Sequence, residues 1–498
     1  MTSALTQLRA LAWLRWSMVR SPGARFVICL APVLLIWFVQ LVVASATSLT
    51  QPALAAALEL APAAFLGFGV LAMVAPLTAG GGNEIVPTSQ LVAFPVRPRT
   101  QFLGGLLLAP INLVWVVQLL VLAAETSYLT LDGHRLAGGI TTTAFVLCLT
   151  IVGQALAWAV VGLRQTRLGR RVVGMLSAAA LVAAVVVVRT GLGNAVLDAS
   201  PTHTVVRAID AGPGLRWLLT TAGLLVIAGA GALLGARACG WALSRPSDTT
   251  TSGTSVAVRR RPARRSALAE LVAVDRASVW RASALRRGGL VLALMPGLAA
   301  IGAAVPWQSL VVLPGLVAAG SGLLFGVNAF CLDGSGAVWL ASLPHEPSLV
   351  ARAKLRVLVE TIAAAILVVL VAGSVRSPGS PTAAQLTGIF SSALACGALV
   401  VATCLALSVR RPHRADLNGP RDAVAPPGAL ALASARLALP AGVIGLILEG
   451  ASQSGIWWLP PAIATPIVVA SALWLRRSMG RYDNPLVRSR IVQTVSAG

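Results

Sequence analysis

Apolar runs about as long as a bilayer's hydrocarbon core is thick follow one another along most of this chain. A helix needs roughly 20 apolar residues to cross that layer. Backbone amides in lipid must also be bonded internally, which leaves only helices and closed barrels. The runs show no two-residue alternation, so barrel strands are excluded and helices are required. Twelve spans are expected. The first six cover residues 26–44, 58–79, 102–124, 139–162, 172–188 and 217–236. The second six cover residues 289–305, 310–329, 355–375, 384–408, 428–448 and 457–475. Composition agrees, with 57% hydrophobic and 11% charged residues where a soluble domain carries about 25% charged.

Charge predicts the orientation. With the N-terminus inside, 33 of the 39 basic residues fall in cytoplasmic segments. Five (Arg135, Arg189, Arg207, Arg216 and Arg376) fall outside, and Arg436 falls within a span. An excess of Lys and Arg on the cytoplasmic side sets topology, so both termini are expected in the cytoplasm of a multi-pass cell-membrane protein. The net charge of +23 then reads as contact with anionic lipid headgroups. Nucleic acid is not an expected partner, because the basic cluster Arg259–Arg265 adjoins the membrane and forms no face of a soluble module. The stretch ending in Ala44-x-Ala46 loosely imitates a signal-peptidase site, yet about 25 residues precede a span-length run. A retained first helix is expected. The six cysteines lie in expected spans or at their cytoplasmic ends, which predicts no disulfide framework.

Between the sixth and seventh spans, Ser244–Ser266 is rich in Ser, Thr, Gly, Pro and Arg and reads as a flexible tether. The expected organisation is therefore a six-helix half over 1–243, a basic linker over 244–266 and a second half over 267–498. Each half begins with a stretch mixing Leu, Ala, Val and Trp with Arg at helical spacing, "LTQLRALAWLRW" and "LAELVAVDRASVWR". Both suit helices lying in the membrane interface.

The halves also share a phrase. "LVAFPVRP" begins at Leu91 and "LASLPHEP" at Leu340, 249 residues later, half of the 498-residue chain. Leu91 pairs with Leu340, Pro95 with Pro344, and Glu84 upstream falls on Asp333. An even number of spans separates the copies, so they would be parallel repeats with both phrases on the cytoplasmic side. In the second copy, Asp333 or Ser335 could cap a short helix, Trp339, Leu340 and Leu343 could share an apolar face, and Pro344 would stop it. In the first copy Leu91 and Phe94 are the apolar residues and Pro95 the stop. Two readings of these loops stand equal on the residues alone: an exposed docking knob, or a turn packed against its neighbours.

The pattern of an acidic residue, a short gap, "LxSLP", a polar pair and "AKLRVLVE" resembles the membrane subunits of ATP-binding-cassette (ABC) exporters of the type-two class. The resemblance implies that each loop holds a coupling helix contacting an ATPase. Glu84, Leu91, Phe94 and Pro95 would serve in the first copy, and Asp333, Trp339, Leu340, Leu343, Pro344 and Lys354 in the second. The first copy departs from the pattern, with Gly105 near the position of Lys354. On this resemblance the chain is two fused permease halves, partnered by an ABC ATPase in two copies. ATP and Mg would be bound by that partner, with no cofactor on this chain.

Other chemistries find little footing. The chain has no G-x-x-x-x-G-K-[ST] phosphate loop. Its four histidines (His134, His203, His345 and His413) form no H-E-x-x-H pair, and no acidic cluster is spaced to hold magnesium and a diphosphate. Neither catalytic residues nor a metal site is expected. The rival reading is a twelve-helix secondary transporter, which also has two parallel halves. Such a transporter needs ionisable residues within its spans, and only Glu360 and Arg436 qualify. They are candidates for a polar substrate pathway, or else a structural ion pair and a snorkelling arginine. Apolar spans suit hydrophobic or amphipathic cargo: a small molecule, a peptide or a lipid.

Overall fold

A computed structural model describes residues 61–70, 72–73, 97–108, 113–130, 133–190, 198–244, 266–282, 305–375, 377–415 and 427–496, with scattered single positions besides. The expected first span, most of the seventh, and Glu84, Leu91, Phe94 and Pro95 lie outside the described residues. All regular structure among the described residues is helical. Seven helices there are long and apolar enough to cross a membrane, as expected of a helical membrane protein. The chain divides into two compact units, Met1–Thr250 and Thr251–Gly498.

In the first unit the helices are α1 (Ala61–Val70), α2 (Pro98–Leu108), α3 (Leu113–Leu129), α4 (Arg135–Arg164), α5 (Arg167–Thr190), α6 (Pro201–Asp210) and α7 (Leu215–Leu243). Helices α4 and α7 pack along much of their length. Small residues permit this, as is usual where lipid supplies no hydrophobic drive between helices. A Cβ at Gly162 of α4 would meet the Trp241 ring of α7 at 2.2 Å, and one at Gly235 of α7 would lie 2.9 Å from the Ala155 Cβ of α4. Polar pairs pin the register: the Thr141 and Thr221 hydroxyls lie 2.9 Å apart, and Trp217 Nε1 donates to the Ala137 carbonyl at 2.9 Å. Pro201 opens α6 at N1, where its missing N–H costs nothing. This short helix buries Val205, Val206 and Ile209 against Phe65, Phe68 and Phe145.

In the second unit come α8 (Ala267–Arg281), the interrupted segment α9 (Trp307–Asp333), α10 (Gly336–Ser342), α11 (Ser348–Ser374), α12 (Ala383–Arg410), α13 (Pro427–Gln453), α14 (Leu459–Asp483) and α15 (Pro485–Ser496). Ser266 caps α8 by accepting from the Ala269 N–H at 3.2 Å. Thr382 and Gln385 close a reciprocal capping box on α12. Helix α12 packs against α9, α11, α13 and α14. Val400, Val401 and Cys404 of α12 join Val317, Leu358, Ile362, Val369 and Leu437 in the core.

Segment α9 contains one π turn, Gly322–Gly326, which leaves backbone groups to be satisfied from elsewhere. Ser408 of α12 does so twice over, donating to the Gly326 carbonyl and accepting from the Ala329 N–H, both at 2.9 Å. Several helices run past the expected span ends, as α11 does, starting at Ser348 where residue 355 is expected. Hydropathy marks where residues leave water, whereas backbone bonding continues to the next cap or proline.

Candidate functional site

The second quoted phrase folds around α10. Segment α9 ends in a tight turn, Cys331–Asp333. Gly334 then takes a left-handed φ of +49°, a conformation in which a Cβ would be strained. One short helix follows, and Leu343 leaves it in an extended conformation, as the residue before Pro344 must. The His345 ring closes the turn, with Nε2 2.9 Å from the Leu340 carbonyl oxygen.

The expected apolar face is split. Trp339 is 72% exposed, Val338 55% and Leu343 40%. Leu340 turns the other way, with Ala337, onto Phe330, Val350, Tyr482, Ile491 and Val495. Phe330 and Tyr482 stack face to face there, with centroids 5.2 Å apart. A helix of fewer than two turns shows only one flank to its support, and the apolar run around Pro344 is too long to fit on it. The outward edge is therefore Val338, Trp339 and Leu343, and Leu340 belongs to the support.

Asp333 does not cap α10. Ser335 is the N-cap, and its side chain makes no capping bond. Asp333 faces Lys354 in the second turn of α11, with Oδ1 2.5 Å from Nζ, and Asp275 of α8 lies 2.6 Å from the same nitrogen. The lysine side chain is only 4% exposed, and the two carboxylates 15% and 11%. One ammonium thus ties α8, the turn before α10 and α11 together. Burial pushes the Asp275 carboxyl above its ordinary value, against the opposing pull of Lys354. Val272 of α8 packs on Ala353 and Val357 of α11 beside the triad.

Glu360, an intramembrane candidate, is held by ion pairs. Arg276 of α8 grips it with two bonds of 2.6 and 2.7 Å, and Arg356 adds one at 3.2 Å. Arg436 is exposed and sits in the second turn of the apolar stretch Leu432–Gln453, a position from which arginine reaches the interface. The two are on separate helices, and neither joins the triad.

Three contributors carry little local signal: Asp275, whose partner lies 79 residues away, His345, and α15. Asp275 stands beside Arg276, and nothing local marks it as the partner of Lys354, since an acid among basic residues commonly pairs on the helix surface. Among the described residues no cluster of three His, Cys, Asp or Glu could hold a metal ion. Comparison with protein-family models, with curated proteins and with solved structures finds no match for this chain.

Proposed function

We propose that this chain is the membrane subunit of an ATP-driven exporter of the type-two ABC class. Its two six-helix halves would form the pathway, and α10 would be the surface that receives a separate ATPase. One observation carries this reading: a short helix offers an apolar edge of Val338, Trp339 and Leu343 while its opposite flank and its entry turn are fixed by packing and by a buried ion triad. An exposed tryptophan on a rigid mount is what a docking contact needs, since aromatic anchors dominate binding energy. In this reading twelve spans cross the cell membrane with both termini inside. Cargo is hydrophobic or amphipathic, drawn from lipid or solution. ATP and Mg belong to the partner, of which two copies serve one chain, and the phrase at Leu91–Pro95 with Glu84 receives the second copy.

The test is co-purification from native membranes with a separate ATPase, followed by transport in proteoliposomes. The complex should hydrolyse ATP and export cargo. Trp339→Asp should leave the thermal stability of the membrane subunit within about 0.5 kcal/mol, as for an exposed position, while ATPase association and transport are lost. Export driven by a proton gradient with no ATPase present would replace this reading with an ion-coupled transporter.

A further inference from the structure

Helix α10 has seven residues, too few to hold a helical conformation by itself, so its position is set by what it lies on. Triad bonds hold its entry turn to α8 and α11. Its own body rests on α15, where Ile491 and Val495 are 3% and 4% exposed beneath Ala337 and Leu340. Helix α15 is in turn tied to the ends of two long helices. It follows α14 across a turn in which Asn484 Oδ1 accepts from the Leu486 N–H at 2.9 Å. Arg490 Nη2 donates to the Arg410 carbonyl, the last residue of α12, at 2.6 Å.

We propose that α15 is a positioning brace, which seats α10 and carries displacements of α12 and α14 to it. Resting on the reading of α10 as a coupling surface, the brace supplies a second mechanical route, parallel to the one Lys354 makes to α11. Ile491, Val495 and Arg490 are its positioning residues. A removable cover is a different device: it would hide the outward edge of α10, but α15 lies under the opposite flank and leaves Trp339 exposed.

Hydrogen exchange on the full chain in detergent tests the seat with no partner present. In Ile491→Asp combined with Val495→Asp, amides of residues 336–342 should exchange about tenfold faster or more, as expected for a locally released segment. Peptides from α12 should be unchanged, and Ile491→Leu should behave as the unaltered chain. Unchanged protection of residues 336–342 in the double variant overturns the brace, whatever α10 does. If the double variant fails to fold, Ile491→Ala combined with Val495→Ala, which hollows out the same seat without burying charge, takes its place under the same criterion. Transport per ATP hydrolysed is the second readout. It should fall, and ATPase association should weaken with it, because Trp339 keeps its identity but loses the rigid mount that docking requires. Release of α10 with full transport would leave α15 as its seat but remove α10 from the coupling path, and so refute the functional reading.

Discussion

The helix following the second quoted phrase carries Lys354 in its second turn, buried between two carboxylates; the helix beginning at Pro98 in the first unit carries a buried Gly105 at the same 249-residue offset. The two units thus fix these two helices by different physics. Around Lys354, α8, the turn before α10 and α11 meet through charge. Around α2 the contact is close apolar packing, with Phe102 enclosed by Trp158, Cys239 and Ala242. Buried charge is costly to create and costly to break singly, which makes it a positional clamp rather than a source of net stability. Close packing resists expansion but tolerates any apolar group that fits. The second unit therefore has the sharper mechanical joint next to its short helix.

The largest test of that contrast removes the cation. Lys354→Met should leave Asp275 and Asp333 buried without a counter-charge, lowering stability by about 3–5 kcal/mol. Thermal unfolding in detergent would read this, together with faster proteolysis within residues 267–281 as α8 detaches. Adding Asp275→Asn and Asp333→Asn should recover much of the loss, because removing a whole ion cluster is far cheaper than orphaning part of it. A Lys354→Met protein that melts like the unaltered chain would erase the distinction between the units.

A smaller effect is expected from the packing side. Gly153→Ala places a methyl group 2.3 Å from the backbone oxygen of Ala72, and that backbone has to shift. The cost should be about 1–3 kcal/mol, typical of overpacking. Gly223→Ala on α7, where nothing lies within 4 Å, should stay within about 0.5 kcal/mol of the unaltered chain. Equal melting of the two variants would mean that the first unit does not depend on close approach at α4.

The smallest expected effect is on pH dependence. The folded-state pKa of Asp275 is raised, chiefly by burial, so the folded chain holds that proton more tightly than the unfolded chain does. Its contribution is complete below the unfolded value and is lost as pH rises through the folded one. Acidification from neutrality should therefore stabilise the unaltered chain relative to Asp275→Asn, seen as a diverging pair of melting temperatures. Parallel curves would mean that Lys354 keeps Asp275 ionised throughout, and that the clamp is stiffer than burial alone allows.

What the sequence determined by itself was the class of structure and the positions of its long helices. Runs such as those around 139–162 and 384–408 leave a chain no soluble alternative, and the helices at Arg135–Arg164 and Ala383–Arg410 contain them. Hydropathy is a property of neighbouring residues, so it is legible without a fold. Leu340, Asp333 and Glu360 were visible too, as candidates, but their roles were not. Only the tertiary structure turned Leu340 toward Ile491, gave Asp333 to Lys354 in place of the α10 cap, and matched Glu360 with Arg276. Those choices depend on partners as near as 21 residues, for Asp333 and Lys354, and as far as 151, for Leu340 and Ile491. A buried charge is stable only beside its counter-charge, and which counter-charge stands there is decided when the helices pack.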